Sequence, residues 1–356
     1  MSVRFFSDPH LGLERTSHTT PASRAKLKQK LFSQALSSFR QGEATYCLGD
    51  LFDTESNDEA VILQGMAVVN GIDGVIAGNH DCPNREGRKS SLQLIQSVYP
   101  DKVISGEVGE PGFDVRCCEE GADLTLVFVP HMATQALFET SLDEAAAWAS
   151  TQVTSKYSAL CLHCNYNSGF ADNESTLNLT RDKAEQLLKV FNYVLLGHEH
   201  IPRADFGGRL QILGNTFPTS FSDISDKFVW EFVDGNLVPH KIWDASTGYI
   251  SLLWGELLNE SSEHWGHEGV QFIEVTGKAP AERMPEIAKK ISDIWKDSPD
   301  LLMLRNNVQV EQADLPQGDG TVTKIQDLPS RVASELKDAP ELLGLWNSYI
   351  DQLRES

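Results

Sequence analysis

Nowhere in this 356-residue chain does an apolar run approach the ~20 residues that crossing a bilayer takes, so no membrane-spanning helix is expected. The N-terminus also lacks a signal-peptide pattern, because the strand-like start "VRFF" leads directly into polar sequence. Cysteine is sparse: Cys47, Cys82, Cys117, Cys118, Cys161 and Cys164 are the only six. One adjacent pair and scattered singles make no disulfide framework, and a chain this long does not need one. The spacing Cys161-Leu162-His163-Cys164 has no second cysteine pair to complete a zinc knuckle, so both cysteines read as small buried strand residues. A cytoplasmic protein with no membrane partner is the expectation. The sequence has no G-x-x-x-x-G-K-[ST] phosphate loop, so any ATP-driven step falls to another chain. Internal repeats and low-complexity tracts are absent too.

Positive charge is the other shortage. Thirty Lys and Arg stand against 51 Asp and Glu, a net −21 that would repel a polyanion if spread evenly. It is not spread evenly: residues 1–100 carry 10 basic against 11 acidic side chains, residues 251–356 carry 10 against 19. Two basic stretches stand out, Arg15–Lys30 and "NREGRK" at 84–89. The bland reading of each is a solvated face or surface loop. Both follow shortly after the site motifs described below, and Arg85, Arg88 and Lys89 are the candidate contacts to substrate phosphates.

What is present is alternation. "VRFFS", "ATYCLG", "GVIAG", "LTLVFVP", "SALCLH" and "NYVLLG" read as buried strands. "RAKLKQKLFSQALSSFRQ", "DEAVILQGMAVVNG", "LDEAAAWASTQV" and "RDKAEQLLKVF" read as the helices between them. The fold class is α/β, a layered core with sheets inside and helices outside. "RLQILGN", "KFVWEFVDG" and "LVPHKIW" are expected to finish a sheet with antiparallel strands. The domains read as a core over 1–250, a β-α-β unit over 268–311, a linker over 312–325 and a helical segment over 326–356. In that last segment Leu342, Leu343, Trp346, Tyr349, Ile350 and Leu353 recur at helical spacing, which suits either domain core or docking onto a partner.

The strand ends carry the chemistry. "VRFFSDPH" delivers Asp8 and His10, "YCLGD" delivers Asp50, and "VIAGNHD" delivers Asn79, His80 and Asp81. "ALCLH" brings out His163, and "VLLGHEH" ends in His198 and His200. In an α/β sheet ligands gather at the carboxyl ends of strands, so five strands point these groups at one rim. Gly49, Gly78 and Gly197 let the backbone bend sharply there. Hard oxygens with imidazoles suit Mn²⁺, Fe or Zn²⁺, and the set is large enough for two ions sharing one carboxylate. Asp53 reads as a structural residue, either a helix cap or a support behind the metal donors, and His131 as a hydrogen-bonded structural histidine.

The ordered set D-x-H, G-D, G-N-H-D, H and G-H-x-H resembles the calcineurin-like metallophosphoesterases over about residues 1–235. The resemblance implies a two-sheet α/β sandwich in which Asp8, His10, Asp50 and His200 hold one divalent ion. Asp50, Asn79, His163 and His198 would hold the other, with Asp50 bridging. The implied ions are Mn²⁺, with Mg, Fe or Zn as alternatives. His80 would be the acid/base residue, in the right titration range to protonate a departing oxygen, and Asp81 would orient it.

Within that superfamily "GDLFDT" lacks the arginine that follows the second Asp in the "GDxxDRG" pattern of Ser/Thr protein phosphatases. The unit at 268–311 looks like the capping domain of SbcD-type nuclease subunits, which process DNA double-strand breaks. "LGNTFPTSFSD" at 213–223 is similar to that family's Gly-[Ser/Thr]-Pro-x-x-x-Ser-Phe stretch, but inserts Phe217 before Pro218. The compact length resembles the phage-borne recombination endonuclease subunits, which would place the protein in the host cytoplasm. The resemblance implies DNA as substrate, an SMC-like ATPase of the SbcC type docked through the C-terminal helices, and a homodimer. A stand-alone enzyme for a small phosphodiester such as a cyclic nucleotide is the alternative. A non-catalytic assembly subunit is disfavoured, because no expected ligand position is lost.

Overall fold

A computed structural model describes residues 2–41, 43–83, 88–105, 110–118, 123–168, 177–259, 269–311 and 346. The strands are β1 (Val3–Phe6), β2 (Ala44–Cys47), β3 (Gly74–Ile76), β4 (Val103–Ile104), β5 (Asp114–Cys118) and β6 (Leu124–Val129). There follow β7 (Tyr157–His163), β8 (Asn165–Tyr166), β9 (Asn178–Leu179), β10 (Tyr193–Gly197), β11 (Arg203–Asp205) and β12 (Leu210–Ile212). The last are β13 (Lys227–Val233), β14 (Asn236–Trp243), β15 (Tyr249–Leu253), β16 (Phe272–Ala279) and β17 (Met303–Val310). The helices used below are α1 (Pro21–Ser37), α2 (Glu59–Gly71), α3 (Ser91–Gln96), α4 (Gln135–Gln152) and α5 (Arg181–Leu187).

Two six-stranded sheets form the frame, in the orders β14-β13-β1-β2-β3-β4 and β11-β12-β10-β7-β6-β5. β1, β2, β3 and β4 run parallel, as do β6, β7, β10 and β12. Alternation along each strand decides the layers. In β7, Ala159 and Cys161 join a core shared with Phe5, Tyr46 and Ile76 of the first sheet, whereas Leu160 and Leu162 pack with Phe138 and Leu142 of α4. The first sheet turns its other side to α1, α2 and α3, where Phe6, Cys47 and Val75 meet Ala35, Val68 and Ile95. Mixed α/β architecture thus follows from strands buried on both faces.

The helix starts obey local chemistry. Thr20 and Ser23 form a capping box before α1, with Pro21 in the first turn. Asp58 caps α2 through the Val61 N–H, so Asp53 is not the cap. Thr134 opens α4, seven residues ahead of the predicted start, because its hydroxyl accepts from Leu137 N. The strand-rich tail divides between the sheets: β12 lies parallel beside β10, while β13 adds antiparallel to β1 and β14 antiparallel to β13. A third sheet, β15-β16-β17, takes in β15 across the residue-250 boundary. Phe217, the inserted residue of the 213–223 stretch, is fully buried with Leu27, Leu31, Trp243 and Phe272.

The chain divides into two compact units, 1–277 with 285–308, and 278–284 with 309–356. Both sheets, and every side chain discussed below, belong to the first. The second is described only at 278–284, 309–311 and 346; there Glu311 N donates to Ala279 O at 2.8 Å. The linker read at 312–325 and, apart from Trp346, the helical segment read at 326–356 lie outside the described residues. Among the described residues no helix is long and apolar enough to cross a membrane. Cys47, Cys161 and Cys164 are buried free thiols and Cys82 is a half-buried one.

Candidate metal centre

The parallel neighbours β1, β2 and β3 end beside the parallel neighbours β7 and β10 of the other sheet. β1, β2, β3 and β10 hand over donors just past their ends, and β7 hands over His163 as its last residue, paired with Gly197. Asp8, His10, Asp50 and His163 are at most 3% exposed. Asp8, His10 and His200 bring ligand atoms within 4.8 Å of one another, and so do Asp50, His163 and His198. Asn79 joins the second group: its Oδ1 lies 3.1 Å from His163 Nε2 and 2.8 Å from His198 Nδ1.

Local backbone geometry shows how tightly the donors are held. Asp8 (φ 54°), His10 (φ 46°), Asp50 (φ 48°) and His198 (φ 92°) all sit in the left-handed region. Each such residue costs about 1 kcal/mol or more, a cost that persists only where the surroundings over-determine the conformation. Gly49 has φ +100°, and a Cβ there would fall 2.2 Å from His163 Nδ1. Gly78 does something different from the bend expected of it. Its φ is ordinary, but a Cβ would fall 2.1 Å from Asp50 Oδ1 and 2.3 Å from Asp50 N. It is glycine so that β3 can end against the Asp50 carboxylate.

Partners behind the rings set which nitrogen faces the centre. His163 Nδ1 donates to Leu48 O at 2.8 Å, leaving the Nε2 lone pair toward Asp50 Oδ1 at 3.3 Å and Asn79 Oδ1 at 3.1 Å. His200 Nδ1 meets Asp223 Oδ2 at 3.2 Å, and its Nε2 faces His10 Nε2 at 2.9 Å. At His163 an acceptor therefore faces acceptors, which an extra proton or a cation reconciles; between His10 and His200 one Nε2 donates to the other unless a cation takes both lone pairs. The mixture of carboxylate, amide oxygen and imidazole suits a divalent ion.

The titrations report the same crowding. Burial pushes the Asp50 carboxyl up, but the charges of His163, His10 and His80 overcome it and hold it well below the usual carboxylate range. Burial likewise opposes charging of His163, yet the Asp50 charge beside it lifts the ring to about 9. His198 is pushed down to about 4 by burial and by the charge of His163. His10 is opposed by burial but raised by its bond to Asp53 and by the Asp50 and Asp8 charges.

The residues around the donors divide sharply. Asp53 supports two rings: its Oδ1 lies 3.4 Å from His10 Nδ1, and its carbonyl accepts His80 Nδ1 at 2.5 Å. His80 is exposed at the rim, and its N–H donates to Asp50 Oδ1 at 2.9 Å. Asp81 does not orient the His80 ring. Its carboxylate instead accepts the backbone N–H groups of Leu51 (3.1 Å), Phe52 (3.1 Å) and Gly78 (3.0 Å), tying the end of β3 to the loop after β2. Burial and the Asp50 charge push it up to about 7, against the pull of those three donors. His131 is fixed through its main chain, N to Ala77 O at 2.9 Å, and burial together with the His163 charge pushes its ring down to about 3.

Of the three candidate phosphate contacts, Arg85 lies outside the described residues. Arg88 and Lys89 are exposed and line a recess of about 490 Å³ with Gln93, Gln96 and Ser97. Among the described residues no hydrogen bond or ion pair joins them to the histidine cluster. Much of the Arg15–Lys30 stretch is engaged within the chain: Arg15 Nε donates to Thr219 O at 3.0 Å, and Lys28 pairs with Glu14 at 2.5 Å. Lys26 bonds Pro299 O, and Lys30 lies 5.5 Å from the Phe217 ring centre.

Two supports escaped sequence reasoning. Glu199, the unassigned residue of G-H-E-H, accepts Tyr166 N at 2.7 Å and pairs with Arg203 at 2.7 Å, anchoring the loop after β10. Asp223 and the fully buried Lys227 stand behind His200. No signal in the order of motifs points to either, because Glu199 serves the Tyr166 main chain and Arg203, while Asp223 and Lys227 reach His200 from 23 and 27 residues further on.

No curated protein matches the chain. A profile of the calcineurin-like phosphoesterase family matches residues 1–202, more than half of it. With buried His and Asp donors converging at its strand ends, the chain belongs to the calcineurin-like phosphoesterases and carries a divalent-metal site for phosphoester hydrolysis.

Proposed function

We propose that the chain is a Mn²⁺-dependent DNA exonuclease and endonuclease subunit that hydrolyses phosphodiester bonds at DNA ends. It works with an SMC-like ATPase of the SbcC type in DNA recombination, repair or replication. The observation that carries the reading is the convergence of donors from both sheets on a rim where His80 is exposed.

In this proposal Asp8, His10, Asp50 and His200 hold one ion, and Asp50, Asn79, His163 and His198 the other. When bound, the two cations supply Lewis-acid polarisation of the phosphoryl oxygens and an acidified water. The chain's own residues do the rest. His163 and His200 present Nε2 because Leu48 O and Asp223 hold their Nδ1 protons. His80, its Nδ1 held by the Asp53 carbonyl, keeps Nε2 for exchanging a proton with the departing oxygen. Asp81 serves by holding the backbone under Asp50.

DNA is favoured over a phosphoprotein because Thr54 stands where protein phosphatases carry arginine. It is favoured over a cyclic nucleotide because a β-α-β unit, proposed as a cap at 268–311, follows the 1–250 core. A small-molecule enzyme has no need of such a cap, nor of a linker at 312–325 and a docking segment at 326–356. With Lys26, Lys28 and Lys30 of the first helix already engaged, the partner is the proposed source of a basic DNA channel. Exposed Leu63, Leu94 and Val98 on and beside α2 and α3 support a homodimer through that face.

The test is cleavage of linear duplex and single-stranded DNA, and of a cyclic nucleotide, with and without Mn²⁺ and a candidate ATPase. Mn²⁺-dependent DNA cleavage stimulated by the ATPase supports the proposal. Preference for the cyclic nucleotide, or tight salt-sensitive DNA binding by the isolated chain, contradicts it. Removing 326–356 should abolish ATPase capture while leaving hydrolysis of a chromogenic phosphodiester intact.

A further inference from the structure

Behind His200 lies a polar knot that the metal donors do not explain. Asp223 is 3% exposed, and its Oδ2 accepts from His200 Nδ1 (3.2 Å), Asn215 Nδ2 (2.8 Å), Thr219 N (2.9 Å) and Thr219 Oγ1 (2.9 Å). Its Oδ1 accepts from Ser220 N (2.8 Å) and Ser220 Oγ (3.0 Å). Lys227, at the start of β13, sends Nζ to the carbonyls of Asp223 (2.7 Å) and His200 (2.9 Å). One buried ammonium thus fastens the main chain of both residues.

The donor inventory fixes the protons. Backbone N–H groups and the Asn215 amide nitrogen can only donate, so both Asp223 oxygens must be acceptors. The imidazole that meets Oδ2 must then carry its proton on Nδ1. Its Nε2 is left with a lone pair, aimed at the space it shares with His10 Nε2 at 2.9 Å. A carboxylate behind an imidazole both selects the tautomer and raises the basicity of the far nitrogen.

We infer that Asp223 is a positioning residue for the Asp8–His10–His200 side of the centre: it holds His200 as the Nδ1–H tautomer and turns Nε2 toward the ion, with Lys227 locking the two backbones together. The inference rests on the metal reading of the site. The rival role is a staple for the 219–223 turn, which would act whether or not residue 200 is histidine.

Two measurements separate the roles. In the metal-free wild-type chain, nitrogen-15 NMR of the histidine rings should show His200 protonated at Nδ1 and bare at Nε2, the signals assigned by their loss in His200→Gln. Calorimetric titration with Mn²⁺ should then show Asp223→Asn weakening one of two ions by ~10- to 100-fold, the other by less than about twofold. In a His200→Gln background, Asp223→Asn should add less than about twofold, since the partner it acts through is gone. A His200 ring protonated at Nε2 overturns the inference, and needs no variant to fold. So does an Asp223→Asn effect that persists in full without His200, or wild-type-like uptake of both ions by Asp223→Asn. A wild-type chain that takes up no Mn²⁺ overturns the metal reading, and the inference with it.

Discussion

Replacing Gly78 by alanine adds one methyl group at the point where β3 ends against Asp50. The new Cβ would lie 2.1 Å from Asp50 Oδ1 and 2.3 Å from Asp50 N. Non-bonded atoms rest ~3.5 Å apart, so the carboxylate or the strand end must retreat by roughly 1 Å. Overpacking of this kind costs ~1–3 kcal/mol. The retreat also breaks the bond from His80 N to Asp50 Oδ1, worth ~1.5–3 kcal/mol for a charged acceptor. The sum, about 2.5–6 kcal/mol, corresponds to a fall in Tm of roughly 3–8 °C for a chain of this size. A 1 Å misplacement of a reacting group costs ~100-fold in turnover, so hydrolysis of a chromogenic phosphodiester should fall at least that far. Gly112→Ala is the control, because nothing lies within 4 Å of its added Cβ; it should stay within about 0.5 kcal/mol of wild type. Thermal unfolding and Mn²⁺ calorimetry on both variants decide the matter. If Gly78→Ala matched Gly112→Ala in stability and kept full Mn²⁺ affinity, the close packing of β3 on Asp50 would be refuted.

His80→Ala should bind Mn²⁺ as wild type does yet lose at least ~100-fold in cleavage, measured by calorimetry beside a nuclease assay; undiminished cleavage would remove His80 from the chemistry. Asp81→Ala strands three buried backbone N–H groups and should destabilise the protein by about 3 kcal/mol or more in chemical denaturation, an unchanged midpoint being the contrary result. The metal-free protein should respond to pH in both directions. His163 is raised to about 9, so its contribution is complete below the ordinary histidine value and is lost as pH rises through about 9, up to about 3 kcal/mol in all. Asp50 is depressed, so its contribution is present above the ordinary carboxylate value and is lost as pH falls through the depressed one. Denaturation midpoints that stay flat from pH 6 to 10 would contradict the His163 part. Mn²⁺ affinity should rise over the upper part of that range, because a ligating imidazole must give up its proton.

The frame was legible because buried parallel strands leave short apolar runs, and six such runs mark β1, β2, β3, β6, β7 and β10. All but β6 end in a residue type that neither strand nor core requires, so the donors could be read in order before any fold was known. Two-residue strands such as β4 and β8 carry too little pattern to be seen. Asp81 was misassigned because a carboxylate next to a histidine in sequence invites pairing, whereas the turn after Gly78 swings it under the backbone of Leu51 and Phe52. Gly78 was expected to bend and instead makes room. Asp223 was invisible because its link to His200 exists only once β13 has returned beside β1. Sequence order exposes groups at strand ends; it conceals those that work from behind, through chain crossings and main-chain donors.

The most direct measurement is anomalous diffraction at the manganese edge from crystals of the wild-type chain grown with Mn²⁺. The expected map has two peaks beside Asp50, one contacting His10 and His200, the other contacting His163, His198 and Asn79. A map with no peak at Asp50, or with those imidazoles turned from any peak, would contradict the proposed centre.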